Sequence, residues 1–586
     1  MLSVLASVLA LSPGSQAVTI LSGPSFTPAT NAPLAGVLQV TTDVNSRVSI
    51  LVSDGINFWE TDFYDFATNH AETLLGFNPG QTNLIQVTVY DEHRNAYTAT
   101  QLLVFVTAPL PVHFPNIVVL NSQPDLMEPG YNLFLVEDRT TSKAYAVILD
   151  NSGEVVWYCP SPNYLDVDVR QLADGNLFIV DKANRFLEIN MLGQTVNTWN
   201  AAPGYPLNLH DGIPTDHGTI LYLSGTNTTV ANYPTSDTIS NAPLATATLD
   251  NDLVVEISAT NSALLNVWSA LDMLDPTRIT YLTPYVAGGV VDDEHVNAVL
   301  EDTNDNSIIV SLRNQNAVIK FTRATGQLQW ILGPPENWST NFLPYLFTPV
   351  GTPFEWNYGQ HAPMLTPENT LLLYDDGNYR ACPFDPSVPD QNNYSRAVEF
   401  SLNETNMQVS QVWDSGQSND DRLFTPIVGK AQWLPQTRDV LVTYGYVSYV
   451  NGVSPSPYSP NATMVRVKEF THDPVPELVF DLSIFDYTNT SPSYLGYLVY
   501  RCERIPDLYA HPAAPVASLV LTEEGMTPSL EFSADPNRTY LIQASTDLIN
   551  WTTIGAPVQE EGAGDFIFSD LSASQFAERF YRVVTQ

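Results

Sequence analysis

The 586-residue chain carries 23 Lys and Arg against 63 Asp and Glu, and a formal charge of −40 repels nucleic acid and anionic lipid headgroups over most of its surface. A hydrophobic fraction of 44% with 15% charged residues describes packed globular material, too long for one core, and 43 prolines against 30 glycines favour short strands and turns. An all-β protein of several domains is expected, with no nucleic-acid partner and no membrane insertion, since no stretch beyond the N-terminus is long and apolar enough to span a bilayer.

Residues 1–17 read as a signal peptide. An apolar run ends in Ser15-Gln16-Ala17, small residues at the two positions a signal peptidase reads, although no Lys or Arg stands near Met1. Export to the periplasm or outside the cell follows. Residues 18–108 alternate as strands ("GVLQVTTDV", "RVSILVSD", "NLIQVTVYDEH") and predict a β-sandwich, which "APLPVHFP" then breaks as a stiff linker.

From 112 to 506 the chain repeats itself. Each unit opens on an Asp/Asn and Gly turn, continues through apolar strands and closes on an aromatic residue: Trp157 after a shortened unit, then Trp199, Trp268, Trp330, Trp413 and finally Phe480. Six such units of about four antiparallel strands predict a six-bladed β-propeller. Residues 516–586 carry short strands and predict a small C-terminal β-sandwich. Cys159, Cys382 and Cys502 have neither a disulfide framework nor a C-x-x-C spacing, and the sequence leaves one bridge or three buried thiols equally open.

Of the nine histidines, His70, His93, His113, His472 and His511 sit singly in polar or linker text, where solvation is the default. His210 ("LNLHDGIP"), His295 ("DEHVNAVL") and His361 ("YGQHAPML") instead share one phase in three consecutive units, about ten residues before an apolar strand. The first strand of each propeller blade lines the central channel, so the three imidazoles should converge. Asn297 lies two residues after His295 and should share its strand face, Arg313 follows on the next strand, and Lys430 has a similar phase in the last unit. Such a cluster in so acidic a chain predicts an anion site. A three-histidine metal site is the rival, against which a fixed Arg313 cation argues. H-E-x-x-H, G-x-x-x-x-G-K-[ST] and G-x-S-x-G are absent, so zinc-protease, nucleotide-phosphate and serine-hydrolase chemistry have no support.

The elements "HVNAVL…SIIVSLRNQNAVIKF…QLQWILG", "QHAPML…LLLYDDGN" and "YSRAVEF" resemble the bacterial arylsulfate sulfotransferase family over about Val18 to Phe480, leaving the C-terminal module outside. The resemblance implies a periplasmic or secreted propeller with an N-terminal β-sandwich. It makes His361 the nucleophile that takes up a sulfuryl group, with His210 and His295 binding that group and assisting proton transfer, and Asn297 and Arg313 holding its oxygens. The family also uses a threonine in the last blade. Near that place this chain has Val428, with Thr425 three residues earlier and Lys430 two residues later as a substitute cation.

The chemistry so implied is ping-pong transfer from an aryl sulfate to a phenol through a sulfohistidine, using small phenolic donor and acceptor molecules, no cofactor, no metal and no nucleotide sulfate. Either His210 or His295 would serve as acid and then base. The aromatic stretch "NFLPYLFTPVGTPFEWNYG" offers walls for aryl rings or ordinary packing. Pairing into a homodimer is allowed. Two readings from other classes stand beside this one: a non-catalytic surface propeller binding sulfated or anionic ligands, and a quinone-dependent propeller oxidoreductase.

Overall fold

The computed structural model describes residues 18–585 apart from 92–94, 162–167, 209, 417–420, 510–517, 522–527, 535–538, 547–550, 560–564 and 577. The expected signal peptide, His93 and His511 lie outside the described residues. Among those described there is no α-helix, only four short 3-10 turns between β-strands. None is long and apolar enough to cross a membrane.

The chain divides into two compact units, one of residues 30–34 and 110–509, the other of 1–29, 35–109 and 510–586. In the smaller unit, residues 20–106 form one connected six-stranded antiparallel sheet. The reason lies in Gly36–Ser53, an 18-residue strand whose register shifts between Thr41 and Ser46. Its first half pairs with Ile20–Pro28 and its second half with Thr82–Asp91, so one strand serves both sides of the fold. The C-terminal segment contributes one four-stranded and one three-stranded sheet around Phe532, Tyr540, Ile542 and Phe566.

The larger unit holds six sheets of four or five strands, antiparallel except where Val290–Asp292 and Thr348–Pro349 each add a parallel strand, and one two-stranded pair, Leu423–Phe424 with Tyr449–Val450. The innermost strands are Val169–Gln171, Gly212–Pro214, Val296–Asp302, His361–Leu365, Gly429–Trp433 and Tyr497–Ile505, and residues of all six line one cavity of 550 Å³. The sheet containing Trp157 receives its inner strand, Tyr497–Ile505, from the far end of the unit, where it pairs with Tyr131–Asp138. That explains why this repeat looks shortened in sequence. A second closure adds Ile117–Ser122 to the outer edge of the last sheet, against Leu478–Ile484.

Each of the six repeat-closing aromatics falls on the fourth strand from the cavity. Their spacing has a packing cause. The indole of Trp157 donates to Met191 O, that of Trp199 to Ala259 O and that of Trp330 to Glu404 Oε1, each at the outer hairpin of the next sheet. Trp268 lies against Gly326 of the next hairpin, and Trp413 stacks on His472 at 5.2 Å. Apolar side chains fill the spaces between sheets. Phe178, Phe186 and Trp199 pack on Tyr222 and Val255, and Ile309, Trp330 and Leu332 on Leu371 and Phe400.

Three smaller expectations are decided here. His70 is buried and bonded to Ala67 O and Glu72, and His472 lies between the Trp413 and Trp433 rings with Glu399 on its Nε2, so neither is a solvated histidine. Phe342 and Tyr345 pack around Trp338 and Leu346, while Phe347, Phe354 and Trp356 pack around Trp330 and Phe400. These members of the aromatic stretch before His361 are therefore inter-sheet core. The three cysteines are free and buried.

Candidate active site

His361 opens its inner strand and is 1% exposed. Gln360 sets its position: its side-chain NH2 donates to Ser311 Oγ, Leu312 O and Ala317 O of the neighbouring sheet, and its Oε1 accepts from Asn357 Nδ2 three residues back. The His361 ring is then held at both nitrogens. Nδ1 is 2.9 Å from Asp376 Oδ1, and Nε2 accepts the Val428 N–H at 3.3 Å. An N–H pointing at Nε2 leaves Nδ1 as the protonated nitrogen of the neutral ring. Burial, and then the charge of Arg313, hold the His361 pKa well below the ordinary histidine value, so the ring is neutral at pH 7.

His210 and His295 meet ring to ring, with centroids 4.5 Å apart and planes at 76°. Each has its own partner at Nδ1. His210 Nδ1 bonds Asn208 Oδ1, and Asn208 in turn donates to Asp252 Oδ1 at 3.3 Å. His295 Nδ1 bonds Asp292 Oδ2 at 2.6 Å, three residues back. The two histidines differ in environment. Burial, then the neighbouring His295, pushes His210 down to about 3, whereas the His295 side chain is 25% exposed and its Asp292 partner 52%. Burial works to raise Asp292, but the hydrogen bond and charge of His295 hold it below the usual carboxylate range.

Arg313 caps the turn after its strand, where its backbone N–H donates to His295 O, and its guanidinium donates to Asn314 Oδ1 and to Pro426 O. Its Nε lies 3.8 Å from Asp376 Oδ2. Asn297 is fully buried and donates to Gln360 O at 2.9 Å. His295, with a φ of +48°, immediately precedes the strand Val296–Asp302 that carries Asn297. Thr425 is buried behind Asp376, where Ser395 bridges them: its hydroxyl donates to Asp376 O and accepts the Thr425 N–H. Lys430 is engaged elsewhere. Its ammonium is paired with Glu503 and lines the 550 Å³ cavity together with Arg170, Asp211 and Arg501.

Several residues of this arrangement escaped the sequence reading. Tyr500, on the inner strand that returns from the end of the unit, stands edge-on to both His210 and His361 at 6.4 and 6.2 Å and donates to Asn297 O. Arg501 donates to Asp168 and Asp211 at 2.8 Å each and also to Asn297 O, while Arg170 bridges the same two carboxylates. This buried box fixes the segment that begins at His210, because Asp211 also accepts the Val299 N–H. Asp376 stands in the quoted "LLLYDDGN" and Asp292 in "VVDDEH", but nothing in a single sequence distinguishes a carboxylate that orients a histidine from its neighbours. Among the described residues, no group of three His, Cys, Asp or Glu side chains is arranged to hold a metal ion.

A neutral, doubly anchored imidazole facing two further histidines and a guanidinium is suited to nucleophilic transfer of an anionic group. Residues 116–492 match the family model for arylsulfotransferases (ASST), nearly two thirds of the chain, and the protein belongs to that family. Arylsulfate sulfotransferase AssT of Escherichia coli is 25% identical over 341 residues, covering 48% of this chain and 54% of the relative. The AssT of Lelliottia amnigena is 24% identical over 365 residues, covering 52% and 58%. The chain thus spans a little over half the length of these relatives. Among solved structures, a periplasmic gluconolactonase of Pseudomonas aeruginosa covers 75% of this chain and 98% of its own at 12% identity and a TM-score of 0.30, and BamB of Moraxella catarrhalis covers 70% and 96% at 9% and 0.23.

Proposed function

We propose that the protein is an exported arylsulfate sulfotransferase built on a six-bladed propeller (residues 112–506) flanked by β-sandwich modules, and that it moves a sulfuryl group from an aryl sulfate to a phenol through a sulfohistidine at His361, without a nucleotide sulfate. The observation that carries this reading is the state of His361: buried, neutral, proton on Nδ1 and lone pair on Nε2, with Arg313, His210 and His295 around it. Family membership and the six sheets whose inner strands carry or adjoin the three histidines support it.

In the first half-reaction His361 Nε2 attacks sulfur, the N–S bond forms as the S–O(aryl) bond breaks, and the electron pair leaves on the phenolic oxygen. Charge spread over the sulfuryl oxygens is met by Arg313 and the neighbouring imidazole N–H groups. The phenolic oxygen takes a proton from His295 in its protonated form. We assign this role to His295 rather than His210 for two reasons. His295 has a carboxylate orienter and partial access to solvent, whereas His210, pushed down to about 3, cannot hold a proton near neutrality. Neutral His295 then accepts the proton of an incoming phenol, whose oxygen attacks the sulfohistidine and restores neutral His361. Tyr500, edge-on to two of the histidines, supplies an aromatic wall in place of the stretch that proved to be core.

Initial rates over a matrix of 4-nitrophenyl sulfate and phenol concentrations test the scheme. Parallel double-reciprocal lines are expected of a ping-pong transfer, and intersecting lines would refute a covalent intermediate on the main path.

A further inference from the structure

Val428 has a backbone that its side chain disfavours. It is β-branched and adopts φ +57°, in the left-handed region where such residues are outliers. The surroundings impose this. One residue on, Gly429 has no room for a side chain, because a Cβ would come within 2.4 Å of the Tyr374 ring, and it pairs with Tyr444 across the sheet. Two residues back, Pro426 O accepts from both Arg313 Nη2 and Asn378 Nδ2, at 2.9 and 3.1 Å. The Val428 side chain is buried against Gly445, where a Cβ would lie 3.0 Å from Val428 Cγ2. With both flanks fixed, the peptide between them turns its N–H toward His361 Nε2, at 3.3 Å.

We propose that the Val428 backbone N–H is a catalytic donor: it covers the His361 lone pair in the resting protein and moves onto a sulfuryl oxygen as the N–S bond forms. The inference rests on His361 being the sulfuryl acceptor. It also accounts for Val428 standing near the place of the family threonine, since a donor aimed at the reacting nitrogen needs no hydroxyl, and Lys430 is committed to Glu503. The distance suits an exchangeable bond: at 3.3 Å it is longer than a strong N–H···N or N–H···O contact, so little is lost when the lone pair turns to sulfur. With its peptide anchored on both sides, the N–H changes acceptor through a small local shift and then meets the negative charge on the sulfuryl oxygens.

The test is an amide-to-ester exchange, replacing Val428 with its α-hydroxy acid counterpart so that shape is kept and only the N–H is removed. The same exchange at Ile427 is the control. Single-turnover sulfurylation by 4-nitrophenyl sulfate is expected to fall by about 10²-fold in the Val428 ester and to fall far less in the Ile427 ester. Equal losses at both positions, or no loss at Val428, would overturn the proposal. Imidazole 15N resonances of the resting protein separate this claim from the sulfotransferase reading. Loss of the N–H should move the His361 Nε2 signal toward that of an unbonded lone pair while Nδ1 stays protonated. An unmoved Nε2 signal refutes the hydrogen bond whatever the activity, and a moved signal in a protein that forms no adduct refutes sulfuryl transfer instead.

Discussion

Asp376→Asn separates two ways in which a buried carboxyl can serve His361. Asp376 is fully buried, and its Oδ1 lies 2.9 Å from His361 Nδ1. Burial pushes the carboxyl well above its usual range, opposed by the charge of Arg313 beside it. Attack by Nε2 changes that balance, because the sulfurylated ring becomes cationic beside it. At an effective dielectric of about 20, a full carboxylate–imidazolium pair at this 2.9 Å separation is worth about 6 kcal/mol. The charge is only partly developed in the transition state, so about half of that, roughly 3 kcal/mol, is a reasonable share and corresponds to about 10²-fold in rate. An Asn that presents its NH2 to Nδ1 would also invert the tautomer and cost more. The assay is the pre-steady-state burst of nitrophenolate, with thermal unfolding measured beside it to confirm that Asp376→Asn folds. A burst within about threefold of wild type would refute the reasoning. It would mean that Asp376 acts as a neutral acid, which Asn replaces, and that the ionic stabilisation argued here is not used.

Further outcomes follow from the same geometry. His295→Ala should slow transfer from phenyl sulfate far more than from 4-nitrophenyl sulfate, because only the poorer leaving group needs the proton; equal losses across a leaving-group series would remove His295 from proton transfer. His210, whose folded value of about 3 lies below the unfolded 6.5, contributes stability that is fully present above pH 6.5 and is lost as pH falls from 6.5 toward 3. Wild type should therefore lose stability over that window relative to His210→Asn, by at most about 4 kcal/mol, and parallel denaturation profiles would contradict a buried neutral His210. Lys430→Met breaks the pair with Glu503 and should cost stability, on the order of 1–3 kcal/mol, while leaving the His361 burst nearly unchanged; a burst lost without unfolding would return Lys430 to the sulfuryl pocket.

The repeat was legible because its aromatic punctuation has one physical cause, the stitching of each outer strand to the next sheet's hairpin, as Trp157, Trp199 and Trp330 show. The shared phase of His210, His295 and His361 was legible for a related reason: each stands at or just before an inner strand, and inner strands surround one cavity. What fixes those rings was not. Asp376, Asn208, Tyr500 and Val428 reach them through turns, a left-handed peptide and a strand that closes the sheet from more than 350 residues away, and none of these leaves a periodic trace. Lys430 shows how little phase alone decides. Its phase matched the histidines, but on an inner strand residues of one phase can face Glu503 and the cavity as readily as the imidazoles. The aromatic stretch before His361 was open to two readings, and packing between sheets is the one its Phe and Trp side chains adopt.

The most direct measurement is to mix the protein with 4-nitrophenyl sulfate in the absence of acceptor, quench, and map the chain by peptide mass spectrometry. The account predicts a burst near one equivalent of nitrophenolate and the mass of one sulfuryl group on the peptide holding His361, removed by added phenol and absent in His361→Asn. Turnover with no adduct, or an adduct that survives His361→Asn, would contradict it.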